Sequence, residues 1–230
     1  MTTKTALIIG ASRGLGLGLA REYIGRGWHV TGTVRGTART PLHALADEHP
    51  TKMAIETVDI NQPPEVAALA RRLAGQRFDL LFVNAGISND RAETIGTTSD
   101  ETFTRLMVTN ALSPMRVVEG LGSLVPAGGT IGLMSSGLGS VANNETGEWE
   151  VYRASKASLN TLMRSFAARH PGDPRTLLLI APGWVRTDMG GPGALLDVET
   201  SIRGVVDAMT AQAGKPGLHY VNYQGKTVPW

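Results

Sequence analysis

Tyr152 and Lys156 are the two residues whose types and spacing best suit proton transfer. Residues four apart on a helix share a face, with Cβ atoms about 6 Å apart. A phenol with a pKa of about 10 is a poor acid–base catalyst at neutral pH, but a neighbouring ammonium stabilises the phenolate. We therefore expect Lys156 to lower the pKa of Tyr152, so that the phenol exchanges a proton with a carbonyl or hydroxyl oxygen. The alternative is an amphipathic helix on which Tyr152 packs and Lys156 reaches solvent.

Two serines follow an apolar segment upstream of this pair. Thr130–Met134 has the character of a buried strand, and Ser135 and Ser136 come directly after it. In open α/β sheets the ligand crevice lies at the carboxyl ends of the strands. A serine hydroxyl placed there can bind a substrate oxygen, and an ordinary turn serine is the alternative.

Three glycines, Gly10, Gly14 and Gly16, lie between the first apolar segment and the first helical pattern. Glycine there allows a sharp turn and lets a pyrophosphate approach the helix N-terminus, where free N–H groups and the helix dipole favour anions. The GxxxGxG spacing indicates a dinucleotide-binding loop, and a closely packed strand–helix turn is the alternative.

The second apolar segment ends at Val34, where a cofactor with a free ribose 2′-hydroxyl usually meets an acidic residue. After this segment no acidic residue occurs before Asp47, whereas Arg13 lies in the glycine loop and Arg35 at the segment's end. Two guanidinium groups can hold a 2′-phosphate through charge-assisted hydrogen bonds. The pattern therefore predicts NADP as the cofactor, with two solvated surface arginines as the alternative.

Seven short apolar segments alternate with helical patterns along the chain. Their Ile, Val and Leu content is typical of buried parallel strands. The segments are Thr5–Ile9, His29–Val34, Met53–Val58, Asp79–Val83, Thr130–Met134, Thr176–Ile180 and Leu218–Asn222. The alternation predicts an α/β fold, a Rossmann-like doubly wound parallel sheet of about seven strands flanked by helices, in a single domain over residues 1–230.

Helix boundaries are indicated at several positions. An apolar face runs from Leu15 to Ile24, and Pro63 with the residues around it marks a helix entrance. Thr98–Glu101 has the spacing of a capping box and opens a helix that we expect to reach about Leu124. A further long helix is predicted from Glu148 to Arg169.

Composition excludes several classes of protein. The 22 Lys and Arg nearly balance the 20 Asp and Glu, and no dense basic cluster indicates a nucleic-acid or membrane surface. The absence of cysteine removes disulfides, thiolate zinc sites and thiol catalysis, and the five scattered histidines predict no metal site. Without an apolar span or a signal-peptide pattern, we expect a cytoplasmic protein.

Taken together, the sequence resembles the short-chain dehydrogenase/reductase family over essentially its whole length. The matching motifs, in the family's order, are Gly10–Gly16, Asp59, Asn84-Ala85-Gly86, Asn110, Ser136, Tyr152 with Lys156, and Pro182-Gly183 followed by Thr187. The residues from Tyr220 to Trp230 resemble the sniffer-like and C-factor-like carbonyl reductase branch. The family's pairing through the helix that bears Tyr and Lys implies a homodimer or homotetramer.

The resemblance also implies roles for single residues. Tyr152 is the acid–base, Lys156 lowers its pKa, Ser136 holds the substrate oxygen, and Asn110 interrupts its helix and holds a water for proton relay. The implied cofactor-binding residues are Gly10, Ser12, Arg13, Gly14, Leu15, Gly16, Arg35, Asp59, Ile60, Asn84, Ala85, Gly86, Tyr152, Lys156, Pro182, Gly183, Val185 and Thr187. Simpler alternatives remain for three of them: a strand-end cap for Asp59, a polar helix residue for Asn110, and a helix N-cap for Thr187.

Some positions depart from the family's pattern. Ile9 stands where Thr is common, which removes a local hydrogen bond, and Val83 replaces a common Asn. The spacing between Ser136 and Tyr152 is a few residues longer than in many members of the family. The extra segment, 143–149, is expected to form a rim of the substrate pocket, and segment 189–196 is expected to form a mobile lid. Trp184 is expected either to face the ligands or to pack in the core.

The function that the resemblance implies is NADPH-dependent reduction of a small or medium apolar carbonyl compound. The alternative is a cofactor-binding signalling or sensor protein of the C-factor type, with little catalysis.

Overall fold

The computed structural model describes residues 3–230, which form a central sheet covered by helices on both faces. The strands are β1 (Thr5–Ile9), β2 (His29–Val34), β3 (Met53–Thr57), β4 (Leu80–Val83), β5 (Thr130–Met134), β6 (Thr176–Ala181) and β7 (Gly217–Asn222). The helices are α1 (Gly14–Gly25), α2 (Pro41–Glu48), α3 (Pro63–Arg72), α4 (Asp100–Met107), α5 (Ser113–Leu121), α6 (Glu150–Arg169) and α7 (Val198–Gln212).

All seven strands are parallel, in the order β3-β2-β1-β4-β5-β6-β7. The predicted fold class is therefore confirmed, and each predicted strand occurs within one residue of its expected bounds. The chain runs outward from β1 to β3 and then returns to the other side of β1 at β4. This reversal opens a crevice at the carboxyl ends of β1 and β4.

The core lies in two layers, one on each face of the sheet, because alternate residues of a strand point to opposite faces. Leu7 and Ile9 of β1 belong to the layer beneath α3, α5 and α6. Ala6 and Ile8 of the same strand belong to the layer beneath α1, α2 and α7. With both faces covered, every residue of the central strands β4, β5 and β6 is buried, which explains their continuous apolar sequences.

The region predicted as one helix from Thr98 to about Leu124 contains a break. Residues Val108–Leu112 form a single turn of π-helix between α4 and α5. The predicted capping box is wrong, because the Thr98 hydroxyl donates to the Thr94 carbonyl at 2.9 Å and belongs to the preceding turn. Ser99 caps α4 instead, its Oγ accepting from the Thr102 N–H at 3.1 Å.

Nowhere in residues 3–230 does a helix combine the length and apolar character needed to cross a bilayer. Within the same range no group of three or more His, Asp or Glu side chains is arranged to hold a metal ion.

Candidate active site

The predicted site residues come together at the carboxyl edge of the sheet. The glycine loop follows β1, Asn84–Gly86 follow β4, Ser136 follows β5, and the segment 182–187 follows β6. Tyr152 and Lys156 come from the first two turns of α6. The crevice opened by the strand order is thus bordered by polar groups from four loops and a helix.

Lys156 lies in the interior beside Tyr152. Its side chain is buried, and Nζ donates to the Met134 carbonyl oxygen at 2.9 Å, at the end of the strand that precedes Ser136. Nζ lies 5.8 Å from the centroid of the Tyr152 ring. The spacing of four residues therefore brings the phenol and the ammonium together, as predicted.

The protonation of this pair differs from the sequence expectation. Burial raises the pKa of Tyr152 to about 12, a hydrogen bond with Ser136 acts in the opposite direction, and the Tyr220 phenol adds a further increase. Burial lowers the pKa of Lys156 to about 8. The expectation of a lowered Tyr152 pKa is wrong for the net shift, because desolvation of the phenolate outweighs the hydrogen bond with Ser136, which is the one contribution in the lowering direction. At neutral pH the phenol keeps its proton.

Asn110 lies in the π-helical turn and is fully buried, so it is not a solvent-facing helix residue. Its Oδ1 accepts from the Ile87 N–H at 2.8 Å, and its Nδ2 donates to the Ile87 carbonyl at 2.8 Å. Nδ2 also donates to the Ser155 hydroxyl at 2.9 Å. A Cβ added at Gly86 would lie 3.3 Å from Asn110 Oδ1 and 3.4 Å from Lys156 Nζ, so the loop after β4 lies against both.

The two serines after β5 differ in accessibility. Ser135 is buried, and its Oγ donates to Asn160 Oδ1 at 2.6 Å. Ser136 is partly exposed, and its Oγ accepts from the Leu138 N–H at 3.1 Å. The Ser136 hydroxyl also lies near enough to the Tyr152 phenol to oppose the rise in the pKa of Tyr152. Of the two, Ser136 is the hydroxyl that a ligand can reach.

Three residues around Ser136 are absent from the predicted site residues: Tyr220, Asn160 and Trp230. The Tyr220 hydroxyl donates to the Ser136 carbonyl. A single tyrosine in a strand carries no pattern of its own, and its contact depends on β7 lying beside β6. No signal in the sequence could have found this contact.

The glycine loop packs tightly against the loop after β4. Gly10 has a φ of +84°, and a Cβ there would lie 2.9 Å from the Cβ of Ala85. A Cβ at Gly16 would lie 2.1 Å from the Gly10 carbonyl oxygen, which also accepts from Asn84 Nδ2 at 2.8 Å. The Gly10 N–H donates to Thr33 Oγ1 at 2.9 Å, so β2 supplies a partner at the site where Ile9 lacks a hydroxyl.

Gly16→Ala is expected to lower the free energy of unfolding by about 2–3 kcal/mol, because the new methyl would overlap backbone that cannot move aside. Urea unfolding measures the change. Gly25→Ala is the matched control, since it lies in the same helix with no atom within 4 Å of the added methyl. The control should gain about 0.5 kcal/mol, and equal stability of the two variants would contradict the packing described here.

The arginines expected to bind a 2′-phosphate are both exposed, Arg13 in the glycine loop and Arg35 directly after β2. Arg13 Nη1 lies 3.2 Å from Asp188 Oδ2. A Cβ at Gly14 would lie 3.8 Å from Thr187 Cγ2. The segment after β6 therefore meets the glycine loop, and two cationic groups lie at this end of the crevice.

Asp59 and Ile60 follow β3 at the same edge. Asp59 Oδ1 accepts from the Asn61 N–H at 2.9 Å, and its own N–H donates to Glu65 Oε2 at 2.7 Å, which fixes the turn into α3. The side chain of Ile60 is buried in the core, so its backbone is the part that can meet a ligand. The turn agrees with the capping alternative for Asp59.

The segment after β6 folds as a hydrogen-bonded loop. Val185 is buried and forms a parallel bridge with Leu196. Thr187 Oγ1 accepts from the Gly190 N–H at 3.1 Å, and Trp184 Nε1 donates to the Gly190 carbonyl at 2.9 Å. Trp184 is exposed, so the core alternative for it is wrong.

Nearer β6, the loop is anchored to α7, since the Pro182 carbonyl accepts from Ser201 Oγ at 2.7 Å. A Cβ on the next residue, Gly183, would lie 2.6 Å from Leu196 Cδ1. The Pro182-Gly183 turn is therefore packed between α7 and the far end of the loop.

The additional segment 143–149 ends beside the catalytic candidate. The ring centroids of Trp149 and Tyr152 lie 5.9 Å apart in an edge-to-face arrangement. Trp149 has a φ of +63°, the one positive φ of a non-glycine residue among residues 3–230, and this turn delays the start of α6 to Glu150 rather than Glu148. Arg153 fixes the segment, with Nε donating to the Glu148 carbonyl at 2.6 Å.

These features define the class of the protein: an open parallel α/β sheet with a glycine loop after its first strand and Ser, Tyr, Lys and Asn side chains near the same edge. The sequence model described as short chain dehydrogenase matches residues 4–193. The chain therefore belongs to the short-chain dehydrogenase/reductase family, as the motifs predicted.

Solved structures and curated proteins agree with this assignment. A short-chain dehydrogenase/reductase of Burkholderia multivorans with bound NADP is 57% identical, with a TM-score of 0.98 over 100% of both chains. The carbonyl reductase Sniffer of D. melanogaster is 28% identical, with a TM-score of 0.89 over 100% of both chains. C-signal of Myxococcus xanthus is 33% identical over 165 residues, which cover 71% of this chain and 99% of the relative. The predicted resemblance to the sniffer-like and C-factor-like branch is confirmed.

Proposed function

We propose that the protein reduces a carbonyl compound to an alcohol with NADPH, by a reversible reaction in which Tyr152 is the acid–base. The observation that carries this proposal is the grouping of Tyr152, Lys156 and Ser136 at the crevice of the sheet. The NADP-bound relative and the carbonyl reductase relative support it.

The residues present fit an NADP cofactor. Gly14 begins α1 with a φ of +56°, and a Cβ there would meet only Thr187 Cγ2 within 4 Å, so the start of the helix is open to a pyrophosphate. Arg13 and Arg35 supply positive charge for a 2′-phosphate. We assign the remaining cofactor contacts to the residues named from the family: Ser12, Gly14, Leu15, Asp59, Ile60, Asn84, Ala85, Gly86, Pro182, Gly183, Val185 and Thr187. When bound, NADPH supplies the hydride for the carbonyl carbon.

The side chains of this chain divide the rest of the work. Ser136 binds the carbonyl oxygen and orients it toward Tyr152, which donates its proton to that oxygen. Lys156 binds the ribose and, as a cation beside the ring, stabilises the phenolate that remains. Asn110 holds the loop after β4 in place and a water that returns a proton to the pair.

Apolar side chains beside the crevice favour an apolar carbonyl compound of small or medium size as the substrate. Trp149 lies beside Tyr152, and Trp184, Met189 and Leu195 expose apolar surface on the loop after β6. We propose segment 143–149 as a rim and 189–196 as a lid. We also propose a single cytoplasmic domain that pairs into a homodimer or homotetramer.

The proposed activity is tested with a panel of carbonyl probes: benzaldehyde, diacetyl, ethyl acetoacetate and menadione. NADPH consumption is followed at neutral pH with wild type and Ser136→Ala. Turnover of at least one probe, reduced by about 10²-fold or more in the variant, is expected. Turnover of none, despite NADPH binding, would contradict the enzymatic proposal.

Arg35→Ala is expected to weaken NADPH binding by about tenfold or more and to leave NADH binding nearly unchanged, because a charge-assisted bond to phosphate contributes about 1.5–3 kcal/mol. Titration by nucleotide fluorescence measures both affinities. Arg116→Ala, an exposed arginine on α5, is the matched control. Equal loss for both nucleotides, or tighter binding of NADH by wild type, would contradict the assignment of NADP.

The similarity to C-signal, which extends over 99% of the length of that relative, favours a second function. In this alternative the protein binds the cofactor as a sensor or signal and catalyses little. The Ser, Tyr, Lys and Asn set argues against it. Nucleotide binding without turnover of any probe would favour it.

A further inference from the structure

Behind Ser136 lies a group of buried polar side chains that the proposed reaction does not use. Tyr220, Asn160 and Ser135 are 2%, 3% and 2% exposed. Burying a hydroxyl or an amide is unfavourable unless it is hydrogen-bonded. Each of these groups is bonded, and the bonds converge on the short stretch of chain that carries Ser136.

Tyr220 reaches this stretch from β7. Its hydroxyl donates to the Ser136 carbonyl, which also accepts from the Gly139 N–H at 2.9 Å. A carbonyl oxygen can accept two hydrogen bonds, so these two bonds together fix the peptide group between Ser136 and Gly137.

A second set of bonds holds the two ends of the same stretch. Ser135 Oγ donates to Asn160 Oδ1 at 2.6 Å, and Asn160 Nδ2 donates to the Gly139 carbonyl at 3.1 Å. Asn160 lies on α6, one turn after Lys156. The helix that carries Tyr152 and Lys156 is therefore joined to the serine loop on both sides of Ser136.

Trp230 holds the Tyr220 ring from outside. The two ring centroids lie 5.4 Å apart, and the Arg164 guanidinium lies 5.0 Å from the Trp230 ring centroid. The Trp230 carbonyl accepts from the Ala142 N–H at 3.1 Å. The phenol is thus packed on one side and bonded at its tip.

From this geometry we infer that Tyr220 is a positioning residue for Ser136: its hydroxyl fixes the serine backbone so that the Ser136 hydroxyl keeps its place beside Tyr152. The inference rests on the proposed function, in which Ser136 binds the carbonyl oxygen. The nearness of the two phenols agrees with it, since Tyr220 contributes to the raised pKa of Tyr152.

The hydroxyl rather than the ring carries this role. Phenylalanine at position 220 would keep the packing on Trp230, and the Ser136 carbonyl would keep its bond from the Gly139 N–H. The protein should therefore fold, with Ser136 held less tightly. Small displacements of a group that orients substrate have large kinetic effects.

The test compares Tyr220→Phe, Ser136→Ala and the double variant, using NADPH and a carbonyl probe from the panel that wild type reduces. Tyr220→Phe should lower kcat by about tenfold, with the NADPH Kd unchanged. In the Ser136→Ala background the same substitution should have almost no effect, because the group that it positions is gone. Tyr23→Phe, which removes a buried hydroxyl between α1 and α7, is the matched control and should leave kcat unchanged.

The failures are distinguishable. If Ser136→Ala lowers kcat but Tyr220→Phe does not, or if their effects on the activation free energy simply add, the positioning role is wrong and the proposed function stands. If Ser136→Ala leaves kcat unchanged, Ser136 does not bind the carbonyl oxygen. The role of Ser136 in the proposed function and the positioning role of Tyr220 are then both wrong. A thermal unfolding midpoint measured for every variant separates loss of activity from loss of fold.

Discussion

Tyr152→Phe will lower kcat for carbonyl reduction by about 10³-fold while NADPH still binds. A positioned general acid contributes about 10²–10⁴-fold to the rate, and phenylalanine removes the only proton that the ring can donate. The ring itself stays in contact with Trp149 and beneath Lys156, so the crevice keeps its shape. Steady-state kinetics on a reducible probe and a fluorescence titration of NADPH measure the two quantities.

The pH dependence provides an independent check on the same residue. With a pKa of about 12, the phenol stays protonated through neutral pH, so reduction should not fall between about pH 6 and 8 for want of this proton. Alcohol oxidation requires the phenolate and should rise with pH over that range. If Tyr152→Phe keeps more than one tenth of the wild-type kcat while the Tyr23→Phe control is unchanged, another group must be the general acid.

Lys156→Met will abolish most activity and at the same time stabilise the fold at neutral pH. Lys156 is buried with its pKa lowered from 10.5 to about 8, so folding must desolvate a cation. The shift in pKa corresponds to a cost of about 3 kcal/mol in the stability of the wild-type protein, which the variant avoids. The variant also loses the hydrogen bond to the Met134 carbonyl, which costs it about 1 kcal/mol. The net gain of about 2 kcal/mol should raise the Tm by several degrees.

The sign of the penalty sets its pH window. Between pH 8 and 10.5 the unfolded chain binds the lysine proton more strongly than the folded chain, so wild-type stability should gain from this group as pH rises through that window. The penalty is complete below pH 8.

The stabilising effect of Lys156→Met should therefore shrink toward pH 10. The control is Lys52→Met at an exposed position, which should change stability by less than about 0.5 kcal/mol at any pH. If Lys156→Met is less stable than wild type at pH 7, the contacts of the ammonium stabilise the fold by more than its desolvation costs.

The strands could be predicted from sequence because a sheet covered on both faces requires continuous apolar segments. The site motifs could be predicted because each is local: Gly10 to Gly16 is one turn, and Tyr152 and Lys156 share one helix face. Local spacing also predicted that the phenol and the ammonium meet. It could not predict which effect would dominate the pKa of Tyr152, since burial depends on the whole fold.

The features that escaped prediction are those set by contacts between distant segments. The helix interruption at Asn110 was implied by the family resemblance and not by any local pattern, and it accompanies hydrogen bonds to Ile87 on another loop. Tyr220 meets Ser136 across 84 positions of sequence. The start of α6 is delayed by the conformation of Trp149, which is fixed by a bond to the Arg91 carbonyl. Propensity and periodicity describe single elements and hold no information on such pairings.

The strand order has a consequence for a newly synthesised chain. The glycine loop is made first, yet Asn84 and Thr187, which border it, are made much later. Every neighbouring pair of strands is parallel, so each pairing waits for a crossover, and such non-local pairings form slowly. A dinucleotide bound as we propose, across the loops after β1, β4 and β6, would find no complete binding surface until β6 has joined the sheet. By mass action it would then stabilise the finished chain against unfolding, so copies that hold the cofactor would be degraded more slowly than empty ones.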